Sequence, residues 1–167
     1  MEERQQYRIA SIKQETKEAK TYTLESLSAI TPFLPGQFLT FIFQFEHEEL
    51  RRSYSIISLP GEKLKITVQR VENGVVSRYI LIHWKIRTIV EALPPMGRFT
   101  LHPVKTYSRD LFFLAAGSGI TPILPLIRFL LKEEPQSAIH LFYSNNSEDK
   151  IVFRDEIEEL KKHNAHF

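Results

Sequence analysis

The residues of this chain best suited to chemistry stand at Arg52-Ser53-Tyr54-Ser55, inside an otherwise apolar, β-rich stretch. Alternation along a strand puts Arg52 and Tyr54 on one face and Ser53 and Ser55 on the other. A guanidinium suits a diphosphate, because its planar fork of donors matches two phosphate oxygens at once. A tyrosine ring can stack on a planar ring system. The Ser55 hydroxyl or backbone N–H can bond a ring nitrogen. A phosphorylated aromatic cofactor needs that set of groups. By itself, the same tetrapeptide also reads as an exposed barrel strand of ordinary residues.

Two more segments carry anion chemistry. In Gly74-Val75-Val76-Ser77 a glycine opens a helix and leaves backbone N–H groups beside a hydroxyl, at the positive end of the helix dipole. Gln69 and Arg70 precede it; Arg70 either adds charge to that place or is a solvated strand residue. Gly117-Ser118-Gly119-Ile120-Thr121-Pro122 follows a buried strand and precedes a helix, the context for backbone approach to a phosphate. Pro122 stands where Gly-x-Gly-x-x-Gly needs its last glycine, and no Gly-Lys-Ser/Thr follows, so this is neither a dinucleotide fingerprint nor a P-loop. A tight turn with no ligand is the alternative at both places. Of the six histidines, His163 and His166 alone have ligand-like spacing, near the end of the sequence, and no metal site is expected. No Ser-His-Asp arrangement follows from the spacing.

The elements that position these segments change character along the chain. Tyr7–Lys13, Thr21–Leu27, Gln37–Phe45, Arg51–Ser58, Leu64–Val71, Ile86–Ala92 and Arg98–Leu101 read as short strands separated by turn signals, the pattern of a closed barrel or a sandwich. Val76, Tyr79, Ile80 and His83 keep helical spacing, so Gly74–Trp84 reads as a helix, although Asn73-Gly74 is also a hairpin signal. After Pro103 the order becomes strand (Leu111–Ala115), turn, helix (Ile120–Lys132), strand (Ala138–Ser144) and a charged helix. Thr121 is suited to the N-cap of the first of these helices and Pro122 to its first turn. Phe153, Ile157 and Leu160 share a face of the charged helix, with Glu158 and Lys162 at i, i+4. That order is the start of a parallel α/β sheet, so two domains are expected, 1–105 and 106–167. Helix 120–132 is apolar nearly all round and must be covered on more than one side. Two strands and one other helix are too few, so a missing part of the sheet or another chain is expected to supply the cover.

Composition narrows the classes. With 167 residues, 43% of them hydrophobic and 25% charged, the chain can build a core. A net charge of +2, from 22 basic and 20 acidic residues, does not describe a nucleic-acid binder. The absence of cysteine excludes disulfides, thiolate metal sites and cysteine nucleophiles, and fits a reducing compartment. No run is long and apolar enough to span a bilayer, so a cytoplasmic protein without membrane contact is expected.

Taken in order, the segments resemble the ferredoxin–NADP(+) reductase superfamily. Arg52-Ser-Tyr-Ser55 is similar to its Arg-x-Tyr-Ser/Thr flavin motif, and Gly74-Val-Val-Ser77 to its Gly-x-x-Ser pyrophosphate segment. Pro94-Pro-Met-Gly-Arg-Phe99 is similar to its Gly-Pro-x-Gly-x-Phe turn, with Pro94 in place of the first glycine. Ala115-Ala-Gly-Ser-Gly-Ile-Thr-Pro122 is similar to its nicotinamide-domain signature. The resemblance implies an antiparallel Greek-key flavin-binding barrel followed by a partial parallel α/β nucleotide-binding domain. It implies bound FAD rather than FMN, NADH or NADPH as co-substrate, and an acceptor such as a ferredoxin, a flavodoxin or an oxygenase component. By position, Arg52 would hold the flavin phosphate, Tyr54 would stack on the isoalloxazine and Ser55 would bond near its reactive nitrogen. Gly74 to Ser77 would bind the pyrophosphate, and Gly117 to Pro122 would face the nicotinamide, with Thr121 close to the hydride. Asn146 stands where the family often has an arginine that holds the adenosine end. The third parallel strand is expected to begin at 164–167. The α/β domain is therefore expected to be incomplete, which favours self-association and leaves a second reading, a flavin-binding electron-transfer module without nicotinamide turnover.

Overall fold

Strict alternation builds the first sheet. In β3 (Phe38–Phe45), Leu39, Phe41 and Phe43 are buried while Thr40, Ile42 and Gln44 face outward. β3 pairs antiparallel with β4 (Glu48–Ser55) and with β6 (Ile89–Ala92). β1 (Gln5–Thr16) pairs with β6 and β2 (Ala19–Ser26), and β2 with β5 (Leu64–Gln69). The computed structural model describes residues 3–28, 32–45 and 48–167. Its larger sheet has six strands in the order β4-β3-β6-β1-β2-β5, and an antiparallel bridge between Ile56 and Ile66 joins the two edges into a barrel.

α1 (Val75–His83) crosses one end of this barrel. Val76 and Ile80 fill it, followed by Trp84, against Tyr22, Phe41 and Phe43. Its last carbonyls are bonded by the barrel: Tyr22 Oη donates to Ile80 O at 3.3 Å, and Lys20 Nζ to Leu81 O at 2.9 Å. Asn73 lies in the left-handed region (φ 58°), yet the chain continues into the helix instead of closing a hairpin. Arg87 (φ 76°) then delays the next strand to Ile89.

No strand forms at Arg98–Leu101, contrary to expectation. Met96 bridges Phe38, and Gly97 follows with φ 128°, which turns the chain off the sheet edge. The segment then crosses Gly36, where a Cβ would stand 1.9 Å from Phe99 O.

The second sheet has two parallel strands, β7 (Asp110–Ala116) and β8 (Ala138–Ser144), with α2 (Ile120–Glu133) and α3 (Arg154–His163). α2 begins at Ile120, one residue before the expected cap, and Thr121 Oγ1 donates back to Ser118 O at 2.9 Å instead of capping an amide. In α3, Lys162 pairs with Glu159 at 2.7 Å rather than with Glu158.

The cover for α2 comes from the barrel. Ala19 and Ile57 share one buried cluster with Ile120, Ile123, Leu124, Leu126, Ile127 and Leu130. Arg128 reaches from α2 to Glu62 (2.5 Å) and to Ile57 O (3.4 Å). Neither another chain nor more sheet is needed for that helix. What remains exposed is the far face of the two-stranded sheet: Phe112, Leu114 and Phe142.

The connection between the sheets is tied down by a buried carboxylate. Glu134 is fully buried and accepts from Arg109 Nε (2.7 Å) and Nη2 (3.0 Å), from Ser137 Oγ (2.6 Å) and from Val104 N (3.2 Å). Burial alone would push this carboxyl up. The bonds from Arg109, Ser137 and Val104 outweigh it and hold the group below the usual carboxylate range.

Burial also pushes the tyrosine hydroxyls of Tyr7, Tyr22 and Tyr54 up to about 12 from the ordinary 10.0. The unfolded chain releases these protons near 10 while the fold keeps them to about 12. Their contribution to stability is complete below pH 10.0 and is lost as pH rises to about 12. Urea unfolding midpoints should fall across that window, and less steeply in Tyr22→Phe. A flat profile there would contradict the assignment.

Candidate cofactor site

The register of β3 against β4 decides what each residue of the Arg52–Ser55 segment can do. Arg52 lies opposite Phe41 and Tyr54 opposite Leu39, so both share the face of the barrel interior. Tyr54 packs against the core with its ring 6.1 Å from Phe41. Burial raises its hydroxyl pKa, and the Arg52 charge partly opposes that rise, which places the guanidinium near the phenol. Arg52 itself is exposed and donates to Arg51 O at 2.7 Å; among the described residues it has no carboxylate partner. Ser53 faces the other way and is bonded to Thr40 at 2.9 Å, so its side chain is not part of this face. Ser55 lies opposite Phe38, half-buried, on the side of the strand that continues toward Ile57 and the α2 contact.

The helix start at Gly74 is built to leave its amides open. Gly74 is the N-cap and supplies no side-chain bond to the first turn, so the N–H groups of Val75, Val76 and Ser77 have no cap. Its φ is −73°, so the glycine is there for room: a Cβ would stand 2.8 Å from Ser77 Oγ and 2.9 Å from Val71 Cβ. Ser77 is buried and its hydroxyl accepts from Val71 N at 3.1 Å, which fixes the turn rather than facing a ligand. Beside it, Gln69 Oε1 is buried without a hydrogen-bond partner. An orphaned acceptor, uncapped amides and an unpaired guanidinium fit a ligand that carries both phosphates and hydroxyl or imide donors.

Arg70 points into a groove of about 370 Å³ that also holds Lys17, Lys20 and Arg78, with Glu18 as the single acid. Sequence reasoning did not find those three cations. They come from a hairpin and from the outer face of α1, and no spacing along the chain joins them.

At the second sheet, β7 runs into Gly117, whose φ of 48° few residues other than glycine adopt. One tight turn, Gly117–Gly119, leads into α2, and a Cβ at Gly117 or Gly119 would meet no atom within 4 Å. The space over the turn is open, as backbone approach to a ligand requires. Thr121 is buried and Pro122 half-buried at the base of the turn. Pro125 has no N–H to return to the Thr121 carbonyl four residues earlier, which leaves that oxygen without its helical donor. Tyr143 was also missed. From the end of β8 its hydroxyl donates to Gly117 O at 3.0 Å and so holds the turn. Burial pushes that hydroxyl up, against bonds from Asn145 and Val152. The one signal in the sequence was its place at the carboxyl end of a parallel strand, where ligands of α/β sheets bind. Asn146, in the place of the family's arginine, is exposed.

Among the described residues no cluster of histidines and carboxylates could hold a metal ion, and no helix is long and apolar enough to cross a membrane.

The barrel and its helix match the oxidoreductase FAD-binding domain family over residues 6–101, and the second sheet matches the oxidoreductase NAD-binding domain over 113–167. The chain is 37% identical over 158 residues to one of the subunits of the 1,2-phenylacetyl-CoA epoxidase of Escherichia coli, covering 92% of this chain and 44% of that protein. It is 34% identical over 131 residues to the ferredoxin reductase component of the 3-ketosteroid-9-alpha-monooxygenase of Mycobacterium tuberculosis, covering 77% of this chain and 36% of that one. Among solved structures, the CS-b5R domains of human Ncb5or in the NAD+ form superpose with a TM-score of 0.87 at 21% identity, over 98% of this chain and 50% of that one. The chain therefore belongs to the oxidoreductase FAD-binding domain family, within the ferredoxin–NADP(+) reductase superfamily. It spans less than half the length of the two curated relatives.

If Tyr143 holds the turn, Tyr143→Phe keeps the ring and removes the donor. About 1 kcal/mol of stability should be lost, with faster hydrogen exchange at the Ser118 to Thr121 amides and unchanged exchange in the barrel. Unaltered protection of the turn would show that Gly117 holds its conformation without Tyr143.

Proposed function

We propose that this chain is the flavin-bearing part of an oxidoreductase that passes electrons from NADH or NADPH through bound FAD to an acceptor. The observation that carries the reading is the convergence at one barrel end of Arg52, Tyr54, the orphaned Gln69 acceptor and the uncapped helix start at Gly74. When bound, FAD supplies the chemistry, since it can take a hydride and release electrons singly or as a pair. The chain binds and orients. Arg52 and the amides of Val75, Val76 and Ser77 hold the pyrophosphate; Tyr54 stacks on the isoalloxazine; Ser55 bonds beside its reactive nitrogen. Arg70, with the cations of its groove, favours the second phosphate of FAD over FMN. Ser53 acts through its backbone, because its side chain is turned to Thr40.

Gly117, Ser118 and Gly119 let the nicotinamide nucleotide approach the backbone, and Thr121 and Pro122 form the wall nearest the transferred hydride. The Thr121 hydroxyl donates to Ser118, so what it offers a ligand is an oxygen acceptor. Residues 1–105 form the flavin unit and 106–167 the nucleotide unit. The acceptor is an oxygenase component, a ferredoxin or a flavodoxin, and the likeness to an epoxidase subunit and to a monooxygenase's ferredoxin reductase component supports the first two. The compartment is the cytoplasm, in keeping with a chain that has no cysteine.

A second reading has an observation of its own. The far face of the two-stranded sheet is exposed, with Leu114 at 76%. A chain in this form binds flavin without turning over a nicotinamide, and it meets a second copy of itself through that face. Anaerobic addition of NADH and then NADPH to the yellow protein separates the two readings: rapid bleaching supports turnover and a stable spectrum supports the module. Light scattering should show association that Leu114→Asp abolishes, and a monomeric parent would exclude the contact.

The phosphate role of Arg52 has its own measurement. Arg52→Ala should weaken FAD by about 10-fold or more while riboflavin binding changes little. Equal losses for both ligands would remove Arg52 from the phosphates.

A further inference from the structure

Tyr54 is one end of a continuous run of aromatic rings that passes through the barrel and ends at the surface. Its ring lies 6.1 Å from Phe41, and Phe41 lies 5.2 Å from Trp84. Tyr22 meets Trp84 edge-on at 5.4 Å, and the Tyr54 hydroxyl is close enough to Tyr22 to act on its titration. Phe43 stacks on Trp84 at 6.0 Å and meets Tyr79 at 6.2 Å. Tyr79 is 39% exposed and lies 4.6 Å from the imidazole of His83, one helical turn on. Four of these rings, Tyr54, Tyr22, Trp84 and Tyr79, are of the oxidisable kinds, and Trp84 is the single tryptophan of a chain without cysteine.

We propose that Tyr54, Tyr22, Trp84 and Tyr79 form a path that carries an oxidising equivalent from the flavin face of the barrel to the surface at Tyr79 and His83. Electron exchange between rings weakens steeply with separation, and no centroid step in this run exceeds 6.2 Å. Filling a core requires aromatic volume, but it does not require the oxidisable rings to follow one another. Nor does it require an imidazole outside the core to lie against the last ring. Tyr22 Oη donates to a backbone carbonyl, Ile80 O, which cannot take its proton. An oxidised Tyr22 therefore recovers its electron from Trp84 instead of settling as a neutral radical. Tyr79 differs, since His83 and water can accept its proton.

The proposal rests on the flavin reading above. Under blue light Tyr54 gives one electron to photoexcited flavin, and that electron passes on to dioxygen as superoxide. Tyr22 replaces the electron on Tyr54, Trp84 replaces it on Tyr22, and Tyr79 replaces it on Trp84. Tyr79 loses its phenolic proton to His83 or water. A thiol or ascorbate then returns the hydrogen atom, or two Tyr79 radicals couple to dityrosine. The path protects the cofactor face by moving oxidation to a ring that solution reductants can reach.

The test uses the full chain loaded with FAD, illuminated in air, with oxidised residues located by mass spectrometry. Oxidation should concentrate at Tyr79, while Tyr107, which is more exposed at 46%, stays unmodified. Trp84→Phe and Tyr22→Phe should each bring Tyr79 oxidation down to that of the flavin-free control. Tyr22→Phe keeps the ring and covers the case in which Trp84→Phe does not fold. Oxidation spread over Tyr79 and Tyr107 by exposure would mean diffusing oxidants and would overturn the path, as would unchanged Tyr79 oxidation in both variants. A ruthenium photo-oxidant attached to the thiol introduced by Arg52→Cys starts the same path without flavin. If that label oxidises Tyr79 while FAD does not bind, the path stands and the flavin reading fails. If the label oxidises nothing beyond Tyr54, the path fails whatever FAD does.

Discussion

The constraint on which this structure depends is the burial of α2. Its apolar residues run nearly round the helix, and each side needs a partner. The two-stranded sheet takes one side through Phe113, Ala115 and Ile139, and the barrel takes another through Ala19 and Ile57. Each large side chain removed from water in this way is worth about 1.5–3 kcal/mol. That one helix therefore fastens the two sheets together. Its first turn carries Thr121 and Pro122, so the packing also sets where the nucleotide turn stands relative to the barrel. Arg128 and Glu62 add a polar contact to the same interface.

At the cofactor site, the fold leaves several polar groups unsatisfied in one place. Elsewhere it satisfies them carefully. The last carbonyls of α1 are bonded by Tyr22 and Lys20, and Glu134 collects donors from three residues. At Gly74, Gln69 and Arg52 it does the reverse. Buried polar groups without partners cost free energy, so their convergence is the mark of a ligand that completes them. The family match over 6–101 agrees with that chemistry.

Much of this was legible from local pattern. Strand alternation placed Arg52 and Tyr54 together because the side-chain period of a strand holds whatever surrounds it. β8 appeared at the expected residues, Ala138–Ser144, since its apolar run is bounded by turn residues. The failures lie where distant parts of the chain meet. The expected strand at Arg98–Leu101 has the right residues, but Gly36 requires the chain to cross it closely. The expected cap at Thr121 lost to a tighter turn begun by Gly117. Tyr143 and the cations around Arg70 had no local signal, because their partners are far away in sequence.

By itself the sequence determined the two kinds of sheet, the helix starts at the glycine-led segments and the residue types of a phosphate and aromatic site. Those follow from periodicity, dihedral preference and side-chain chemistry, which act over a few residues. The tertiary structure alone decided that the barrel covers α2, that Ser53 faces away from the cofactor side, and that Gln69 is left unpaired. These depend on which atoms exclude water from which others. That is settled by the packing of segments dozens of residues apart, and no local pattern encodes it.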